Sequence, residues 1–422
     1  MLTAISGINW GDEGKSKMVD LLSSDYDIVV RYQGGNNVGH TVINEKGKFV
    51  LNLIPSGILR ENVVNVMGNG MVIDIKHLCE EIDRLRKCGI KITPDNLKIS
   101  DKAIICMPYS ITQDCLEEDR LADKKRGSTR KGIGPAYSDK YLRKGIKMGD
   151  LLNMSLLANK LEKVLDYKNL LFDSVYDAKG YSIKDILRYV EIYGKPLIPY
   201  LINTTTYLTE MHNANKKILL ESQLGALRDI DFGIYPFTAS FNTIASYAPI
   251  GAGVPNIKLD LSIGIMKAYS TCVGLGPFTV EYFGKKADEL RDAGGEYNAF
   301  GKPGRVGPFD VVASKYGVMV QGADQVALTK LDVLSYLDEI EVCIAYELDG
   351  KRVTDFPYPA DLDRSKPVIK TLKGWKTDIS KCKKYEDLPV EAKEYIEFIK
   401  KETGANIKYI SVGAEREEYI VL

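Results

Sequence analysis

Histidine and tryptophan are scarce in this 422-residue chain, three of the first and two of the second, so each histidine carries more information than usual. Cysteine is sparse too. The seven residues, at 79, 88, 106, 115, 272, 343 and 382, form no CxxC pair, which excludes a zinc ribbon, a dithiol redox motif and a disulfide scaffold. No run approaches the roughly 18 apolar residues that a membrane helix needs, and no basic segment leads into an apolar stretch at the N-terminus. An excess of one charge is also missing: Lys plus Arg total 57 and Asp plus Glu total 57, so no basic face advertises nucleic acid. These absences leave a soluble, cytoplasmic protein that handles small molecules as the expectation.

What is present is alternation. An apolar run over 2–8 leads through a Gly-rich turn into a helix-like stretch over 16–22. Strand-like runs follow over 28–30, 49–53, 218–220, 326–329, 340–346 and 407–412, and helix-like patterns over 75–87, 182–193, 258–269 and 390–402. Such alternation predicts an α/β fold, one large domain over 1–422. Its central sheet is expected to be mostly parallel with flanking helices, like that of the phosphate-loop NTPases, with smaller subdomain insertions. The stretches 107–149 and 284–310 are the least regular, rich in Gly, Lys and Arg, and are expected to be active-site loops.

The turn after the first run reads Gly11-Asp12-Glu13-Gly14-Lys15-Ser16-Lys17. A strand, a Gly-rich turn and a helix aim backbone N–H groups and a positive helix end at one place, which is an anion site, and Lys15 adds a point charge. The strict pattern G-x4-G-K-[ST] is not met, because Asn9 stands where its first Gly belongs. The plain structural alternative is a polar first helical turn in which Asp12 and Glu13 favour the dipole. A carboxylate beside polyphosphate is repelled, by about 4 kcal/mol at 4 Å and an effective dielectric of 20. Asp12 is therefore a candidate magnesium ligand, a base, or both. A second Gly-rich loop, Gly34 to Thr41, places His40 directly after Gly39, whereas His77 and His212 fall within helical patterns. A third element, Thr329-Lys330-Leu331-Asp332, ends an apolar strand. An Asp there can accept both N1 and N2 protons of guanine while the Lys stem lies along the base, as in the NKxD element of GTP-binding proteins.

Together these segments resemble the adenylosuccinate synthetase family, ligases that join L-aspartate to IMP at the expense of GTP. "WGDEGKSK", "VVRYQGGNNVGHT", "NLIPSGIL", "KGIGPAYSDK", "DIDFGIYPF", "KAYSTCVGLGPF", "LTKLDVL" and the terminal "ISVG" fall in the family's order. The resemblance implies that Asp12 takes the N1 proton of IMP and holds Mg2+ together with the Gly39 carbonyl. The O6 atom then takes the γ-phosphoryl group of GTP with support from His40 and Lys15, and the amine of aspartate displaces phosphate from the 6-phosphoryl-IMP intermediate. It implies GTP contacts at Gly11, Glu13, Gly14, Ser16, Lys17, Thr41, Arg305, Lys330, Leu331, Asp332, Ser411, Val412 and Gly413. IMP and aspartate contacts are implied at Asn37, Val38, Thr129, Ala299 and Lys302, with Arg143 crossing from the other subunit of a homodimer.

The pattern breaks on the acceptor side. The family's EGAQG-like segment reads Glu221-Ser222-Gln223-Leu224-Gly225, and its YPxVTSS-like segment reads Tyr235-Pro236-Phe237-Thr238-Ala239-Ser240, so two groups that hold the IMP phosphate are absent. Gln223, Thr238 or Ser240 are the candidate substitutes. The run Ala299-Phe300-Gly301-Lys302-Pro303-Gly304-Arg305 is one residue short and poorer in arginine, Arg130 and Lys131 stand where Gly and Arg are usual, and Cys272 stands where Arg is usual. Two alternatives follow: a paralogue that uses the same activation on another acceptor or amine, and a GTP-binding regulatory protein without ligase chemistry.

Overall fold

Every residue of the strand Leu2–Gly7 is buried, which is what an apolar strand covered on both faces requires. In the computed structural model of the chain, which describes residues 1–44, 47–125, 127–297, 301–415 and 417–422 and no side chains at 43, 44 and 48, this strand lies near the middle of an eleven-stranded sheet. Leu261–Lys267, Gln325–Thr329, Ile407–Ser411 and Tyr419–Val421 follow on one side of it, and Ile218–Gly225, Ile28–Gly34, Val64–Ile73, Leu97–Ser100 and Leu201–Ile202 on the other. All these neighbours pair in parallel except the last strand, Tyr419–Val421, which runs antiparallel to Ile407–Ser411. The sheet is thus mixed and mostly parallel, as expected. Because the chain departs from the first strand to both sides, the C-terminal ends of the central strands flank a topological switch point, where α/β sheets bind their ligands.

Helices Ile75–Lys87, Met154–Tyr176 and Ile183–Tyr193 build an apolar cluster on one half of the sheet, and Val311–Gln321 and Val390–Thr403 build another on the other half. A small second sheet of Phe309–Asp310, Glu339–Leu348, Lys351–Val353 and Lys366–Lys373 is the clearest insertion.

Three expectations need correction. The helix-like pattern over 258–269 is the central strand Leu261–Lys267; a run buried on both faces carries no period that separates strand from helix. The third strand expected at 49–53 is Gly47–Leu51, and it pairs only with His40–Asn44 in a hairpin outside the main sheet. The stretches expected to be loops contain the helices Pro108–Leu121, Ile133–Tyr141 and Lys285–Gly294. The first of these buries Tyr109, Ser110, Asp114 and Glu118 and the last only Ala287 and Leu290, so an apolar 3.6-residue period never forms in the sequence.

Candidate active site

The two carboxylates of the phosphate-type turn part company. Glu13 points inward and is 1% exposed. Its Oε1 accepts the N–H groups of Asn9 at 3.1 Å and Gly11 at 2.8 Å, and its Oε2 meets the Lys15 ammonium at 2.5 Å. A Cβ on Gly225 would come within 2.6 Å of Glu13 Oε1 and 2.3 Å of the Asn9 carbonyl, so glycine there is what lets the carboxylate nest against the turn. Asp12 instead is exposed, on a left-handed backbone at φ 56°, a conformation Asp tolerates better than most residues. Gly14, at φ 88°, caps the helix Lys15–Leu22 with no side-chain cap, which leaves first-turn N–H groups open to an anion. Ser16 Oγ donates to the Thr41 carbonyl at 3.0 Å and so fastens the phosphate helix to the strand that begins with His40.

His40 is buried, and its Nδ1 lies 2.6 Å from Glu221 Oε1. Glu221, midway along the central strand Ile218–Gly225, also accepts from Ser56 Oγ at 2.6 Å and Ser56 N at 2.8 Å. This arrangement fixes the Nδ1–H tautomer, and Nε2 is left buried and without a partner. Burial pushes the His40 imidazole below its ordinary 6.5, against the pull of Glu221. Burial also opposes charge on Glu221, but His40, Arg31 and Ser56 hold its carboxyl below the ordinary 4.5. The sign follows: an unfolded chain protonates this histidine near pH 6.5 while the folded one resists, so the pair's stabilisation is complete above that pH and falls below it. The ligand-free protein is expected to lose up to about 1.4 kcal/mol per pH unit from this group as pH drops below about 6.5. Urea melts of the parent and of His40→Gln check this, the variant showing the shallower decline.

At the other end of the site Lys17 turns toward the C-terminal strands. Its ammonium donates to the Gly413 carbonyl at 2.6 Å and Ser411 Oγ at 3.2 Å, and lies over the Tyr419 ring. Burial lowers its pKa to about 8 in spite of Glu418, Asp332 and Glu415 nearby. Asp332 Oδ1 is buried without a hydrogen-bond partner, an acceptor waiting for donors. Lys330, beside it, also has a left-handed backbone, φ 56°.

A cavity of about 500 Å³ receives Asn37, Val38, Thr129, Leu224, Thr238, Ala239 and Ser240. Leu224, at φ 60°, and Ala239 pack there against Ile133 and Phe241, so the two positions that depart from the family form an apolar patch. Of the candidate substitutes, Thr238 and Ser240 line the cavity. Gln223 is buried and donates to the Gly35 carbonyl at 2.7 Å, which removes it from the candidates. Arg305 is committed to Glu281 at 2.6 Å and to the carbonyls of Gly274 and Gly276. Arg143 lies apart from this cavity, exposed at φ 60° beside Lys102, Lys140, Lys147 and Lys160. Lys302 is exposed, and Ala299 lies outside the described residues. Sequence reasoning assigned no role to Glu221 or Ser56. The signal available was a carboxylate closing the otherwise apolar run Ile218-Leu219-Leu220.

The profile of the adenylosuccinate synthetase family matches residues 4–420. The adenylosuccinate synthetase of Caldanaerobacter subterraneus subsp. tengcongensis is 43% identical over 100% of this chain and 99% of its own, and that of Streptococcus gordonii 41% identical over 99% and 97%. The fully ligated Plasmodium falciparum adenylosuccinate synthetase superposes with a TM-score of 0.92 at 35% identity, covering 100% of this chain and 99% of its own. A cyanophage S-2L succinoaminodeoxyadenylate synthetase, with a TM-score of 0.60 and 16% identity over 100% of this chain and 95% of its own, shares the fold. On the full-length match and the geometry together, the chain belongs to the adenylosuccinate synthetase family, GTP-dependent ligases of purine biosynthesis that join L-aspartate to IMP.

Proposed function

We propose that Asp12 is the base that deprotonates IMP, that His40, oriented by Glu221, stabilises charge on the transferring phosphoryl group, and that Lys15 compensates the phosphates. The observation that carries this reading is the division of labour in the turn: Glu13 is sealed on Lys15 and two backbone amides, whereas Asp12 alone is presented outward. An exposed carboxylate keeps the freedom a base needs to reach its proton. Phosphoryl transfer asks the protein mainly for positioning and charge compensation, which the open helix N-terminus, Lys15 and His40, once protonated at its free Nε2 with Glu221 behind it, would supply. The unpartnered Asp332 oxygen supports guanine as the base, read through its N1 and N2 protons, with Ser411, Val412 and Gly413 beside it.

Magnesium fits the donor set. Such an ion is held by one or two carboxylates and otherwise by substrate phosphates, and the exposed Asp12 is a carboxylate of that kind. Asp12 and the exposed Gly39 carbonyl would hold it, and bound there it neutralises charge on the phosphates. Arg143 supports a homodimer in which it serves the partner's acceptor site, since its side chain makes no hydrogen bond or ion pair among the described residues. We place the enzyme in the cytoplasm as one catalytic unit; no helix among the described residues is long and apolar enough to cross a membrane.

The whole reading is tested by phosphate release with GTP, magnesium, L-aspartate and a panel of acceptors. Release is expected with IMP and GTP, and its absence with IMP but presence with another acceptor would point to the paralogue instead. The Leu224 and Ala239 patch makes a second expectation. Ala239→Thr restores a hydroxyl beside the acceptor's phosphate and is expected to lower the KM for IMP about tenfold, the value of one hydrogen bond to a charged group. An unchanged KM would show that Thr238 and Ser240 already fill that role.

A further inference from the structure

Glu296 has no part in the roles above, yet it stands where the two ends of the site meet. Its Oε1 accepts from the Lys267 ammonium at 3.0 Å, from the Lys330 ammonium at 2.8 Å and from the Tyr269 hydroxyl. Lys330 also donates to the Gly294 carbonyl at 2.7 Å, so the strained lysine is anchored at its tip by this one corner. Lys267, fully buried at the end of the central strand, has Thr271 Oγ1 at 2.9 Å as its other partner and feels the charge of Asp12. The main chain of Glu296 is tied as firmly. Its carbonyl accepts Gly304 N at 2.8 Å, Tyr297 pairs with Pro303, and Arg291 Nε donates to the Gly304 carbonyl at 2.7 Å. Burial disfavours charge on Glu296, but Lys267 and Lys330 overcome it and hold the pKa at about 2.

We propose that Glu296 is a positioning residue that couples nucleotide-base recognition to the amino-acid end of the site, holding the Lys330 ammonium with its side chain and the Gly301 to Arg305 segment with its main chain. The proposal rests on the reading of Lys330 and Asp332 as the guanine site and of the Lys302 segment as the aspartate site. A flexible lysine stem offers a flat face to a purine only if its ammonium is held, and the carboxylate of Glu296 is the charged group that holds it. Because the same residue anchors Gly304, a change at either end is felt at the other, and equilibrium coupling between ligands is reciprocal.

The test is a kinetic cycle on the full-length enzyme with GTP, IMP, L-aspartate and magnesium, comparing the parent, Glu296→Gln, Lys330→Met and the double variant. Glu296→Gln is expected to raise the KM for GTP and for aspartate about tenfold each while kcat changes by less than about threefold. Lys330→Met is expected to raise the aspartate KM as well, although it touches no amino acid, and the double variant is expected to match the worse single variant rather than their product. A carboxylate that only holds the fold together would lower the melting temperature and leave both KM values in place. That result, or multiplicative effects in the double variant, overturns the proposal. Should Glu296→Gln not fold, Lys330→Met decides alone, since an unchanged aspartate KM is equally fatal. Asp332→Ala separates the premise from the proposal: if it leaves the preference for GTP over ATP unchanged, the guanine reading fails, whatever Glu296 does.

Discussion

Asp12→Asn is expected to cut adenylosuccinate formation by about 10³- to 10⁴-fold, the upper range for removal of a general base, while GTP affinity stays within about threefold. Asparagine is the informative substitution. It has the shape of aspartate and tolerates the left-handed backbone at φ 56° almost equally well, so neither strain nor a cavity enters the comparison. Alanine would add strain, because it fits the left-handed region less well. What asparagine lacks is the ability to take a proton and the charge to share a cation, and the outward position of residue 12 makes these its only evident tasks. Glu13→Gln should behave differently. It weakens a buried ion pair with Lys15 at 2.5 Å, and leaving one buried charge uncompensated costs about 3 to 5 kcal/mol, so its main signature is lost stability. Measuring product formation and melting temperature on both variants separates the chemical carboxylate from the structural one.

The second large effect is expected at His40. His40→Ala removes the imidazole that, once protonated at Nε2 beside the bound phosphates, would donate to the transferring phosphoryl group, and should lower kcat by about 10² to 10³, the scale for one oriented donor to developing charge. Glu221→Gln keeps the side chain's size but can present an amide N–H to Nδ1 in place of an acceptor, which permits the opposite tautomer. A smaller loss in kcat, about 10-fold or more, is expected there, because orientation is impaired while the imidazole remains. Pre-steady-state phosphate release, with GTP affinity measured separately, reads both. Parental rates in both variants would remove the His40 and Glu221 pair from the chemistry.

The sequence was most informative where chemistry imposes a residue and a spacing together. The turn at 11–17, the GHT segment and the TKLD element each end a strand of the central sheet or follow one closely, and the structure sets their strands among five neighbours in the middle of the sheet. It was least informative where burial is polar. The helix Pro108–Leu121 buries Ser110, Asp114 and Glu118, and Asp114 holds Ser128 Oγ at 2.6 Å and Gly132 N at 2.9 Å; a helix that packs through hydrogen bonds has no apolar stripe to read. Glu221 escaped for a related reason. A lone carboxylate within a strand acquires meaning only when a histidine 181 positions away is seen 2.6 Å from it. The same holds for Glu296, whose partners Lys267 and Lys330 lie 29 and 34 residues distant. At Leu224 and Ala239 the departure from the family was legible, but only the structure shows that the two side chains share one apolar patch with Ile133 and Phe241.

The most direct measurement follows oxygen in GTP labelled at the β–γ bridge, incubated with IMP and magnesium but without aspartate. If Asp12 takes the proton that makes O6 nucleophilic, the parent transfers the γ-phosphoryl group reversibly and the label scrambles into the β-nonbridging positions, whereas Asp12→Asn binds GTP and scrambles nothing. Scrambling at the parental rate in Asp12→Asn would contradict the assignment of the base to position 12.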